Sequence, residues 1–155
     1  MTDVPDRPGV AAPPPLFYGV GFLVGLLLER LVPSELWHIL PVPTLGGGVM
    51  LAGLALVLWA GATFARHRTP VAPYRASTTI VETGPYRFTR NPIYLGMLLF
   101  YLGGVAWAGR LGPLVMLPLV ILALQPLVIA REERYLLAKF GERYQRYRER
   151  VRRWI

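Results

Sequence analysis

Apolar residues gather along the chain in four blocks, at about 16–32, 45–65, 92–109 and 111–130, parted by short stretches rich in charge, proline or glycine. Inside the blocks no polar face returns every three or four residues, as it does on a surface helix of a soluble domain. A bilayer core takes about 20 apolar residues to cross. The second block, free of charge up to Arg66, and the fourth meet that length outright. The first, which carries Glu29-Arg30 near its end, and the third need tilt or interfacial help. Pro92 opens the third block, a position where proline costs a helix nothing because the first N–H has no partner there anyway.

Beyond Arg131 the pattern changes. Leu136, Phe140, Tyr144, Tyr147 and Val151 follow one another at steps of four, four, three and four, with Arg, Lys and Glu at most other positions. That is one apolar stripe on one helix, predicted over 131–151, either lying on the membrane surface or packed as a lid over the 66–91 loop. The pattern as a whole predicts an all-α integral membrane protein of about four transmembrane helices plus a cytoplasmic amphipathic C-terminal helix. It reads as a single domain over 16–155, preceded by a disordered, proline-rich tail at 1–15.

Composition strengthens the membrane reading. Apolar residues make up 54% of the chain and charged residues 17%, too little polarity to cover a soluble globule of this size. Of the 17 Lys and Arg, fifteen fall in the N-tail, the 66–91 loop and the C-terminal region, and only Arg30 and Arg110 fall on the other side of a four-span topology. That bias puts the loop and both termini in the cytoplasm. The net charge of +8 points to an anionic lipid surface or ligand, and no motif accompanies it that would read nucleic acid. There is no cysteine, which excludes disulfides, thiolate metal sites and a cysteine nucleophile. His38 and His67 stand far apart, so no metal site is expected. Gly46, Gly47, Gly48 and Gly53 can pack helices within or between chains, which leaves the oligomeric state open.

Ionisable residues are costly near membrane depth, so clusters at span ends are where chemistry is expected. Two stand out, Glu82 to Gly96 leading into the third span and Arg131-Glu132-Glu133-Arg134 leaving the fourth. Both fall on the predicted cytoplasmic side. Gly84-Pro85 marks a turn, and Asn91-Pro92 marks a helix start with Asn91 at or near the cap. That start presents N–H groups and a positive dipole end suited to an anion. Arg90 can add a bidentate contact to a carboxylate. Glu132 and Glu133 can meet an ammonium or ribose hydroxyls, or pair with Arg131 and Arg134.

The segment GPYRFTRNPIYLG resembles the signature of the integral membrane methyltransferases that include isoprenylcysteine carboxyl methyltransferase and the phospholipid methyltransferases, close to G-P-Y-R-x-x-R-H-P-x-Y-x-G. Gly84, Pro85, Tyr86, Arg87, Arg90, Pro92, Tyr94 and Gly96 match it, and Asn91 stands where histidine is usual. A second block of that family, a glutamate pair followed by L-x-x-x-F/Y-G-x-x-Y-x-x-Y, is matched by Glu132, Glu133, Leu136 or Leu137, Phe140, Gly141, Tyr144 and Tyr147. The resemblance covers roughly residues 45–155. It implies S-adenosylmethionine bound at the cytosolic face and a lipid or other lipophilic acceptor, in a prokaryotic inner membrane. Arg90, Asn91, Pro92, Tyr94 and Leu95 would line the methionine and sulfonium end, with Glu82 and Tyr86 at the preceding turn. Glu132 and Glu133 would meet the amino or ribose groups, and Tyr144, Tyr147 and Arg148 would close the lid. Arg90, Asn91 and Glu132 would carry the reaction, although asparagine in place of histidine removes a titratable group. Two rivals come from other classes. One is an NADPH-dependent membrane reductase of the sterol reductase type, whose C-terminal half is similar; the other is a non-enzymatic lipid-binding membrane module.

Overall fold

The computed structural model describes residues 7–32, 37, 39–72 and 75–154; His38 and the first six residues of the expected tail lie outside them. Every regular element there is helical. Helices α1 (Pro14–Leu31), α2 (Pro43–Arg66), α3 (Pro92–Ala108) and α4 (Leu111–Leu124) follow the four apolar blocks. The first three each begin on proline. Among the described residues, three helices are long and apolar enough to cross a membrane, the third of them running without interruption through α4 into the helix that follows; α3 is a shorter apolar helix.

The helices pack chiefly as two pairs, α2 on α3 and α1 on α4. Glycine makes both pairs close. A Cβ on Gly53 would lie 2.5 Å from the Gly96 carbonyl oxygen, and one on Gly96 would lie 2.7 Å from the Gly53 oxygen. Backbone thus meets backbone, and dispersion contacts replace the hydrophobic drive that lipid cannot supply. Gly46 packs the same way against α3, whereas a Cβ on Gly47 or Gly48 would meet nothing within 4 Å. At the far end of the α1–α4 pair, the Glu29 carboxylate accepts the Gly112 N–H at 2.6 Å and meets Arg110 Nε at 2.5 Å. The charge that interrupts the first apolar block is therefore buried as a lock on the start of α4.

Two expectations change. The predicted 131–151 helix is two helices, α5 (Ala130–Phe140) and α6 (Glu142–Arg150), followed by a non-helical segment at 151–154. Gly141, with φ +53° and ψ −128°, makes the break in a backbone region that essentially only glycine enters. The stripe nevertheless holds across it: Tyr144 and Tyr147 are buried with Ile80, and Leu136, Phe140 and Val151 pack around them. The described part of the expected tail is docked. Ala11 N–H donates to the Leu127 carbonyl, Arg131 donates to the Gly9 carbonyl, and Val10 packs on the core. Pro126, lacking an N–H, sits in a π-helical stretch, Gln125–Ile129, that joins α4 to α5.

Candidate active site

The cavity that gathers the polar residues lies where α3 begins, α5 leaves α4, and α6 folds back over both. It encloses about 120 Å³, walled by Arg90, Asn91, Pro92 and Tyr94 from α3 and its approach, Glu132 and Glu133 from α5, and Tyr144 and Tyr147 from α6. Residues 70–72, 75, 77 and 79–81 of the α2–α3 connection cover it, with Tyr86 from the 3-10 turn Gly84–Arg87. That turn is tied to the lid by the Tyr147 hydroxyl, which donates to the Tyr86 carbonyl at 2.9 Å. The cover is tied to α5 by Ser77 N–H donating to the Tyr135 hydroxyl at 3.1 Å, while Lys139 donates to the same oxygen at 3.0 Å.

Two glutamates side by side on one helix have different company. The Tyr94 hydroxyl sits astride the Glu132 carboxylate, 2.8 and 2.7 Å from its two oxygens, and no other hydrogen bond to Glu132 occurs among the described residues. Glu133 is held by two arginines. Arg153 grips it with both arms of its fork, Nη2 to Oε2 at 2.6 Å and Nε to Oε1 at 3.1 Å. Arg90 Nη1 stands 3.2 Å from Oε1, within ion-pair range but not aligned for a hydrogen bond. The Arg90 side chain is 10% exposed, and its Nε and Nη1 are buried without a hydrogen-bond partner. Such an orphaned charged donor costs free energy unless something completes it.

The segment 151–154 forms the back of this arrangement. Arg90 N–H donates to the Arg152 carbonyl at 3.0 Å, and the Arg153 carbonyl receives both the Thr89 hydroxyl and the Asn91 side-chain amide, each at 3.0 Å. Trp154 packs on the bundle core. Asn91 is thus the N-cap residue of α3 by position, but its side chain makes no cap and reaches the C-terminal segment instead. Burial pushes the Tyr144 phenol up to about 12 and raises Tyr86 and Tyr147 as well. All three are therefore neutral hydrogen-bonding groups at any ordinary pH. The hydrogen bond to Glu133 raises Arg153 further above the ordinary arginine value.

Nine of the twelve residues singled out from sequence line the cavity. Three do not. Glu82 faces the outside of α6, where it pairs with Arg150 at 2.5 Å and Arg143 at 3.5 Å. Arg148 is exposed, and Leu95, half-buried, is absent from the lining. Glu133 meets Arg90 and Arg153 rather than the adjacent Arg131 or Arg134. The sequence reading passed over Arg153, Thr89 and Tyr135. Arg153 looks there like one more charge in a basic run. Tyr135 precedes the apolar stripe by a single residue, a helical step that ordinarily points elsewhere.

Comparison with known proteins places this geometry. The family model for phospholipid methyltransferase matches residues 42–143. An uncharacterised Haemophilus influenzae protein is 41% identical over 63 residues, which are all of that protein and 41% of this chain. The cobalt-zinc-cadmium resistance protein CzcN of Cupriavidus metallidurans is 37% identical over 68 residues, 44% of this chain and 32% of that one. The protein-S-isoprenylcysteine O-methyltransferase of Schizosaccharomyces pombe is 32% identical over 72 residues, 46% of this chain and 30% of that one. The chain thus spans about a third of the length of the last two. The family match runs from the start of α2 through both polar clusters to the first turn of α6, well over half of the chain, and this integral membrane protein belongs to the phospholipid methyltransferase family.

Proposed function

We propose that this protein transfers a methyl group from S-adenosylmethionine to a lipophilic acceptor, an isoprenylcysteine-like carboxylate or a phospholipid amine, at the cytoplasmic face of a prokaryotic inner membrane. The observation that carries the reading is that Arg90 Nε and Nη1 are buried without a hydrogen bond in the same cavity as Glu132. An amino acid head group has the two charges this pair lacks: a carboxylate for Arg90 and an ammonium for Glu132. Tyr86, Tyr94 and Tyr144 bring aromatic faces to the same space, and such faces attract a sulfonium by cation–π interaction. The donor set fits the group. The enclosed volume is below the ~300 Å³ of the smaller ligand pockets. It takes the charged head, and the nucleoside end lies outside the enclosed volume.

When bound, S-adenosylmethionine supplies an electrophilic methyl on a sulfonium. The chain's own part is to hold, align and exclude water. Arg90 fixes the anionic end, and Tyr94 orients the Glu132 carboxylate. A carboxylate acceptor attacks without any base, whereas an amine acceptor must first be neutral, and Glu132 is the group placed to take that proton. The S. pombe relative's name supports the carboxylate acceptor, and the family's name the phospholipid. Fifteen of the 17 basic residues on one side of the spans support a cytoplasmic site with both termini on that side.

Calorimetric titration of the detergent-purified protein with S-adenosylmethionine, S-adenosylhomocysteine and NADPH tests the reading. Binding of the first two alone supports it. Binding of NADPH alone moves the protein to the reductase class, and binding of none to a non-enzymatic membrane module.

A further inference from the structure

Arg90 and Arg153 compete for one carboxylate, and the competition has an outcome written in the distances. Arg153 takes both oxygens of Glu133, at 2.6 and 3.1 Å. Arg90, the more deeply buried of the two, has a misaligned ion pair from Nη1 to Glu133 at 3.2 Å and a side-chain hydrogen bond with Tyr144, while its Nε and Nη1 make no hydrogen bond. Guanidinium and carboxylate prefer the two-armed geometry. With Arg153 gone, both oxygens of Glu133 lose their competitor, and Arg90 can turn from Tyr144 onto Glu133 and satisfy its unbonded Nε and Nη1 there. We propose that Arg153 is a positioning residue: by engaging Glu133 from the rear, it keeps Arg90 open for an anionic group of the ligand. This rests on the reading that Arg90 receives such a group.

The anchoring of Arg153 suits that task. Its carbonyl is held by Thr89 and Asn91, and the carbonyl before it by the Arg90 N–H, so the segment that carries the competitor is attached to the loop that carries Arg90. Val151 and Trp154 pin it at both ends by packing. Asn91 then acts through the strap: its amide donates to the strap and helps keep Arg153 in register. An arginine is required because a lysine ammonium is a point charge and cannot span both carboxylate oxygens.

The test is S-adenosylhomocysteine affinity in wild type, Arg153→Gln, Arg153→Lys, Glu133→Gln and the Glu133→Gln/Arg153→Gln double variant, with thermal unfolding of each. Diverting one charge-assisted hydrogen bond should weaken Arg153→Gln about tenfold. Arg153→Lys should fall between it and wild type. The double variant should recover most of the affinity, because a neutral side chain at 133 gives Arg90 nothing to close on. Unchanged affinity in Arg153→Gln overturns the proposal. So does a weakened single variant without recovery in the double, since Arg153 would then act on the ligand or the fold directly. Slowed solvent exchange of the Arg90 Nε–H in Arg153→Gln, followed by NMR on nitrogen-15-labelled arginine, reports the same event without any ligand. If wild type binds no S-adenosylhomocysteine, the ligand reading fails, and the exchange measurement alone decides whether Arg153 holds Arg90 open.

Discussion

Glutamate and arginine meet at both ends of the helical bundle, and the two meetings differ in how close the pair is and in whether it borders the polar cavity. At the end away from the cavity, Glu29 is 2% exposed and takes one N–H of α4 and one arginine. The contact ties α1 to α4. At the cavity end, two glutamates and two arginines share one space, yet Arg90 keeps unpartnered nitrogens and Glu132 has a single phenol for company. A buried charge held by a close ion pair is a joint, even where, as at Glu29 Oε2, that pair is not aligned as a hydrogen bond. A buried charge with spare donors on the wall of a cavity carries a desolvation cost that a ligand can relieve. That difference, rather than the presence of charge, separates structure from function in this chain.

The sharpest way to break the comparison is to strip the partner at each end. Arg110→Ala leaves the Glu29 carboxylate buried without its cation and should cost about 3 kcal/mol of stability, read from denaturant or thermal unfolding in detergent. Ligand affinity of the folded fraction should not change. Arg90→Ala should do the reverse, lowering S-adenosylhomocysteine affinity by about 30-fold for a lost charge-assisted bond while the unfolding midpoint holds or rises. A large stability loss in Arg90→Ala would make both ends joints. Glu132→Gln retains an acceptor for Tyr94 but loses the charge, and should weaken binding about tenfold; full affinity would remove Glu132 from the site. Asn91→His keeps a donor for the Arg153 carbonyl and should change affinity less than about threefold; loss of folding would show that Asn91 serves as a cap after all.

The smallest effect is in pH. The Tyr144 phenol is raised from 10.0 to about 12, chiefly by burial, so its contribution to stability is fully present below pH 10 and is lost as pH rises toward 12. The unfolding midpoint should therefore show no contribution from this phenol between pH 7 and 9, and the decline above pH 10 should be shallower in Tyr144→Phe.

Much of the fold is legible in the residue order because it is local. Four apolar blocks, three with a proline at the helix start, specify four helices, since backbone hydrogen bonding within a lipid-facing segment has no other solution. The stripe from Leu136 to Val151 likewise announces a buried face, and that face forms even though Gly141 breaks the helix beneath it. The two motif blocks mark where the polar residues cluster. Which of them touch is another matter. Glu82 and Arg148 lie at plausible spacings and end outside, while Arg153, which no periodicity distinguishes from its basic neighbours, ends on Glu133. Helical period depends on residues three or four apart. The meeting of positions 90, 133 and 153 depends on how α3, α5 and the segment after α6 dock. Only tertiary packing decides that, because it alone settles which of several equivalent charges is desolvated and which is left to water.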